Sequence, residues 1–197
     1  DFWLNLRYGR GYSHGLTNPT NDHIIYQADN TPLAAWANAL NSAMMASAFH
    51  IAGFPDLKTE YQDSAVIAYA YADALPDPML DARQELGQAT ARGRDFKMMA
   101  AAYLYNLTGD TAYENVVYQE SVAAGPVSEL FSQGSHHQLW GAVAYILTNR
   151  EVHYPELQQN MKSSIIHQAG LKEAGQVFLR PSRRGYANDG STAWFQT

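Results

Sequence analysis

The chain has 197 residues, 46% of them hydrophobic and 16% charged, the balance of a globular domain with a sizeable core rather than of a disordered segment. Its net charge of -6 argues against a nucleic-acid partner or an anionic membrane surface, and no apolar run approaches the about 20 residues of a membrane span. There is no cysteine, so disulfides and thiol chemistry are excluded while the compartment stays open.

In chain order, residues 1–30 form a long link with a Gly-rich stretch, "RGYSHGLT", at 10–17. Thr31 and Pro32 then read as an N-cap and first helical position, opening a helix that runs to about 52 and stops at Gly53. Asp56 is expected to cap a second helix to about 75, before Pro76. Asp77 and Asp81 beside Arg83 and Glu85 read as a solvated loop and short helix. Asp95 is expected as the N-cap of a third helix that ends at Thr108 and Gly109, and Asp110 as the cap of a fourth, to about 123. A fifth is expected from Ser135 to about 148 and a sixth from Pro155 to about 171. Arg180, Arg183 and Arg184 flank Pro181 as a loop cluster bonding carbonyls and carboxylates. Asn188 and Asp189 read as turn residues, and Ser191 as the cap of a seventh helix. No segment alternates as a strand would; only 176–179 is a candidate for a short extended piece.

The pattern is therefore all-α and built from helical hairpins. The odd helices are Ala-rich and apolar on most sides, as in "LAAWANALNSAMMASAF" and "LWGAVAYIL", and should form an inner layer, with Met44, Met45, Met98 and Met99 filling the core. The even helices carry polar faces and should lie outside. The inner-helix starts near 31, 95, 135 and 191 are too irregular for a tetratricopeptide or HEAT array. Every long link precedes an inner helix, so a site is expected at that end, beside unpaired N–H groups and positive helix ends. His136 and His137 would point about 100° apart on a helix, which disfavours joint metal ligation; they read as helix-start packing or cleft polarity. No dinucleotide, P-loop or nucleophile-elbow motif occurs, and neither a metal nor another cofactor is expected.

The run "DFKMMAAAYLYNLTGDTAYEN" resembles a segment of glycoside hydrolase family 9, the cellulase-type six-hairpin enzymes. Asp95, Ala100, Ala101, Leu104, Tyr105, Thr108, Gly109, Asp110 and Tyr113 carry the likeness. "RGYSHGLT" is similar to the loop with that family's substrate-contacting histidine, which falls on His14. "TPLAAWANALNSAMMASAF" is similar to the helix after it, and "YANDGSTAWF" to a Gly-Ser turn opening a later inner helix. The resemblance implies an (α/α)6 toroid of twelve helices, of which residues 1–197 are about half, a partial catalytic domain from the middle of a longer polypeptide. A chain that opens on Asp1 and stops at Thr197, just after a helix start, fits that expectation.

The resemblance further implies inverting hydrolysis of β-1,4-linked glucan, an endoglucanase-like activity. Its general base would lie in an upstream Asp-Ala-Gly-Asp motif and its acid in a late glutamate, roughly 6.5–9.5 Å apart. Neither is in this chain, so no catalytic residue is assigned and the chain alone should be inactive. The implied partners are an oligo- or polysaccharide and the rest of the same catalytic domain. Export would follow from a cellulase role, and a cytoplasmic location from action on imported oligosaccharides.

For substrate binding, His14 would donate to a sugar hydroxyl, Tyr12 would wall the same pocket or pack its loop, and Asp95 would support the cleft floor. His136 would add cleft polarity, and Trp194 would be core or platform. Three departures matter: Met99 replaces a tryptophan, Ser135-His136 a Trp-Asp pair, and Thr192-Ala193-Trp194 a Leu-Arg-Tyr run. Fewer aromatic platforms suit an exo-β-glucosaminidase acting on short chitosan oligosaccharides. A sugar epimerase using His14, His23, His136 and His137, or a non-catalytic helical scaffold, are the alternatives from other classes.

Overall fold

A computed structural model describes residues 31–86, 89–132 and 134–173. Within them lie six helices and two short antiparallel ladders. In order these are α1 (Pro32–Ala52), α2 (Pro55–Asp73), β1 (Arg83–Leu86), β2 (Ala89–Arg92), α3 (Gly93–Thr108), α4 (Thr111–Glu120), β3 (Phe131–Ser132), β4 (His136–His137), α5 (Leu139–Ile146) and α6 (Pro155–Glu173). The described residues are mostly helical, as expected of an all-α pattern. The expected seventh helix at Ser191 and the extended piece at 176–179 lie outside the described residues.

Local chemistry sets the hairpin turns. Gly53 and Gly109 both take positive φ (79° and 77°), the left-handed conformation that ends a helix without a Cβ penalty. At the second of these the Gly109 N–H donates back to the Tyr105 carbonyl, and the Asp110 carboxylate then accepts from Ala112 N at 2.9 Å to start α4. Arg150 closes the same end. Its guanidinium donates to the Asn106 and Leu107 carbonyls, each at 3.1 Å, placing a cation at the negative end of α3.

Helix α3 is the hub. Ten of its sixteen residues are buried, and it packs on α1, on α5 and on its own return helix α4. Small residues make this possible: a Cβ on Gly141 of α5 would stand 2.8 Å from Met98 Sδ and 2.8 Å from Met99 Cα. Met98 and Met99 are buried there as expected and Met44 is partly so, whereas Met45 is 41% exposed because it lies on the outward stripe of α1 with Asn38, Asn41 and Ala48. Gly141→Ala should destabilise the chain by about 1–3 kcal/mol, since the new methyl meets backbone as well as a flexible thioether. Urea unfolding followed by circular dichroism would measure it.

Aromatic edges join the first two hairpins. Trp36 of α1 meets Tyr69 of α2 edge-on at 4.9 Å, and Tyr69 meets Tyr113 of α4 at 5.2 Å. Lys97 Nζ lies 5.2 Å over the Trp36 ring and 2.6 Å from Asp73. On the far side Gln158 of α6 donates to the Tyr145 carbonyl of α5, and Ser164 to that of Gly125. Three hairpins, α1–α2, α3–α4 and α5–α6, thus lie side by side, with α3 and α5 more buried than their partners.

Several expected boundaries are corrected. Asp56 is not the cap of α2: Phe54 holds that position without a side-chain bond and Pro55 begins the helix. α3 starts two residues before Asp95, which is the third helical residue rather than the cap. α5 starts at Leu139 rather than Ser135, because His136 and His137 pair as a strand with Phe131 and Ser132. Arg83 and Glu85, expected in a loop and short helix, belong to β1, which pairs with β2 in the register Arg83 to Arg92 and Glu85 to Thr90. The sequence pattern predicts a strand at neither place.

Candidate functional site

The connections 74–92 and 121–138 both lead into inner-helix N-termini, and β2 lies against β4, so the two meet at one end of the hairpin stack. The first connection is seated on α1, where Trp36 Nε1 donates to the Pro78 carbonyl at 2.9 Å. Asp77 Oδ1 accepts from Met79 N, and Met79 takes a positive φ of 50°. This turn runs directly under Gly93, where a Cβ would come within 2.2 Å of the Met79 carbonyl oxygen. Only glycine permits so close an approach at that point.

The start of α3 is consequently plugged by its own loop. Gly93 N donates to the Ala82 carbonyl at 2.9 Å and Arg94 N to the Leu80 carbonyl at 2.8 Å. The expectation of unpaired N–H groups at this end is therefore corrected for α3: its first two donors are spent on the polypeptide. Arg94 also reaches Asp81 (2.9 Å) and Glu120 (2.8 Å), which pin the loop to the exit of α4.

Asp95 is the centre of the arrangement. It is fully buried, and both its oxygens are engaged. Oδ1 accepts from Arg92 Nη2 at 2.8 Å and from Gln138 Nε2 at 2.8 Å; Oδ2 accepts from Arg92 N, Arg92 Nε and His137 N at 2.8, 3.1 and 3.3 Å. Burial by itself would push this carboxyl up. The bonds from the Arg92 side chain and backbone and from Gln138, with the guanidinium charge, outweigh burial and hold it below its ordinary value. Gln138, itself fully buried, continues the network: Nε2 also donates to the Glu120 carbonyl and Oε1 accepts from Val122 N. One carboxylate thereby joins the start of α3, the exit of α4 and the strand that leads into α5.

Around this anchor lies an aromatic cluster. The His137 ring is nearly parallel to Trp140 (6.4 Å, 10°) and edge-on to Phe131 (5.1 Å, 77°). Phe131 and Trp140 are half-buried, while burial holds His137 below its ordinary range against the opposing pull of the Asp95 charge. His136 Nε2 lies 2.8 Å from the Glu129 carbonyl. A carbonyl only accepts, so Nε2 donates there, and Nδ1 lies 3.3 Å from the Ser135 hydroxyl.

Of the residues predicted for substrate binding, Asp95 and His136 are brought to this end. Each is already saturated with bonds from the protein, so Asp95 offers no free acceptor to a ligand and acts through the hairpin it holds. Tyr12, His14 and Trp194 lie outside the described residues, as do His23, Arg180, Arg183, Arg184, Asn188, Asp189 and Ser191. The residues that sequence reasoning misses are Arg92 and Gln138. Arg92, three positions before Asp95, is detectable as an i, i+3 charge pair. Met99 is 2% exposed against α5, so the exchange of tryptophan for methionine there concerns packing rather than a sugar platform. Among the described residues no three His, Asp or Glu side chains converge as metal ligands, and no helix is long and apolar enough to cross a membrane. No protein-family model, curated protein or solved structure matches the chain.

Proposed function

We propose that this chain is the middle part of an inverting glycoside hydrolase of the family 9 type, half of an (α/α)6 toroid that cleaves β-1,4-linked glucan. The observation that carries the reading is the hairpin made by "GRDFKMMAAAYLYNLTGDTAYEN". An Ala-rich inner helix ends on a left-handed glycine, an Asp-capped outer helix returns, and the connections into α3 and α5 meet through β2 and β4 at the N-termini of those helices. Half-buried Phe131 and Trp140 supply ring faces of the kind that sugars stack on, and Asp95 fixes the strand between them. The catalytic acid and base belong to other parts of the polypeptide, and the likeness to the family gives His14 and Tyr12 a role in substrate contact.

A second reading, an exo-β-glucosaminidase on chitosan oligosaccharides, is favoured by one observation. Ser135 and His136 replace an aromatic-acidic pair, and the His136 ring is tied down to Glu129. Cello-oligosaccharides and chitosan oligosaccharides, offered to a polypeptide that extends residues 1–197 on both sides, separate the two. The expected product of either is the inverted anomer, seen by NMR within the first turnovers, and the 197 residues alone should give no turnover. Robust hydrolysis by the isolated chain, or a retained anomer from the extended one, would sink the proposal.

A further inference from the structure

Asn106-Leu107-Thr108 is an Asn-X-Thr acceptor sequence, and it is the single one in the chain, since Asn18-Pro19-Thr20 carries the excluded proline. Such a sequence ordinarily marks a surface loop. Here it forms the last turn of α3, at the crossing with α5. Asn106 Nδ2, the atom that would carry a glycan, donates to the Ala144 carbonyl of α5 at 2.8 Å, and Oδ1 is buried. The backbone is equally committed. The Asn106 and Leu107 carbonyls accept from Arg150, and Thr108 Oγ1 donates to the Leu104 carbonyl at 2.7 Å.

Transfer of an oligosaccharide requires Nδ2 to attack the anomeric carbon of a lipid-diphosphate-linked donor. A C–N bond forms, the C–O bond to the diphosphate breaks, and one amide proton is lost. The acceptor must be freed from helix and from Ala144 for this to occur. Once attached, the sugar would occupy the space between α3 and α5, which elsewhere in the crossing is so narrow that a single methyl on Gly141 does not fit.

We propose that N-glycosylation of Asn106 and folding of this domain exclude one another. The sequence then acts as a folding block in any compartment that glycosylates nascent chains before α3 docks on α5. Productive folding belongs to a route in which the hairpins close first or the transferase is absent.

The test uses an oligosaccharyltransferase with its lipid-linked donor on native and on urea-unfolded chain, with a mock reaction lacking donor as the control. The unfolded chain should gain the glycan mass at Asn106, and the native chain should react at least about tenfold more slowly, because its last α3 turn must open first. After removal of urea the mock-treated chain should regain its near-ultraviolet dichroism and melting transition, and the glycosylated chain should regain neither. Equal modification of native chain, refolding of the glycosylated chain with an unchanged midpoint, or failure of the unfolded chain to accept the sugar would each overturn the proposal.

Discussion

Asp95→Asn should be the most damaging conservative substitution in this domain, costing about 3–5 kcal/mol, the range for removing one partner of a buried ion pair. The reason is geometric. Five donor contacts converge on the two Asp95 oxygens, two on Oδ1 and three on Oδ2. An asparagine has one oxygen, so either orientation of its amide turns an NH2 group onto N–H donors and leaves the Arg92 guanidinium without its counter-charge. Unfolding in urea would measure the loss, and hydrogen exchange at His137 N would report release of β4. The pH dependence has a definite sign. The folded carboxyl lies below its ordinary value of 3.8, so its contribution is complete above that value and is lost as pH falls through the lower folded one. The wild-type chain should therefore weaken in acid below about pH 4 by a component that Asp95→Asn lacks. Parallel stability-pH curves for the two proteins would refute the assignment.

The parts of this fold that are legible in sequence are the parts whose cause is local. Gly109 and Asp110 announce their turn because a left-handed residue and a capping carboxylate act within four residues of themselves. Pro32 and Pro155 begin their helices for the same reason. The start of α3 lies two residues ahead of the place its sequence suggests because its first donors are satisfied by Ala82 and Leu80, more than ten positions upstream, and not by a cap. The two ladders give little signal: "RQEL" has no apolar alternation, "ATAR" alternates only through two small alanines, and "FS" and "HH" are two residues each; the pairings hold them, with β2 lying against β4 and the α3 start. Gln138 carries no local signal at all. Its three bonds reach Asp95, Glu120 and Val122, and only the folded arrangement brings those groups within range. The candidate site is therefore legible as a place, the end where long connections meet, while the identity of its anchoring residues is a tertiary property.

Glu114 should behave differently from Asp95, because the donors around it can be rearranged. Its carboxylate is 1% exposed and lies at the opposite end of the stack. Oε1 accepts from Tyr145 Oη at 2.6 Å and His153 N at 2.9 Å, and Oε2 accepts from His153 Nδ1 at 2.6 Å. Burial, then the bond to Glu114, pushes the Tyr145 phenol well above its ordinary range, so the hydroxyl stays a donor. Glu114→Ala strands the buried Tyr145 hydroxyl and takes the acceptor from the more exposed His153, and should cost about 3 kcal/mol, with the link 147–154 released from α4. Glu114→Gln, however, has a solution that Asp95→Asn lacks. The amide oxygen can keep Tyr145 and His153 N, while the amide NH2 turns to His153, whose neutral ring can accept at Nδ1 once its proton moves to Nε2. The expected loss is about 1 kcal/mol, a single weakened hydrogen bond. Urea midpoints for the three variants should thus rank Glu114→Gln well above Glu114→Ala and Asp95→Asn. Nitrogen chemical shifts of the His153 ring should show the tautomer change in Glu114→Gln. A Gln variant as unstable as the Ala variant, or a ring still protonated at Nδ1, would mean that charge rather than donor count governs Glu114, and the cost of Asp95→Asn would then have to be assigned to the Arg92 charge alone.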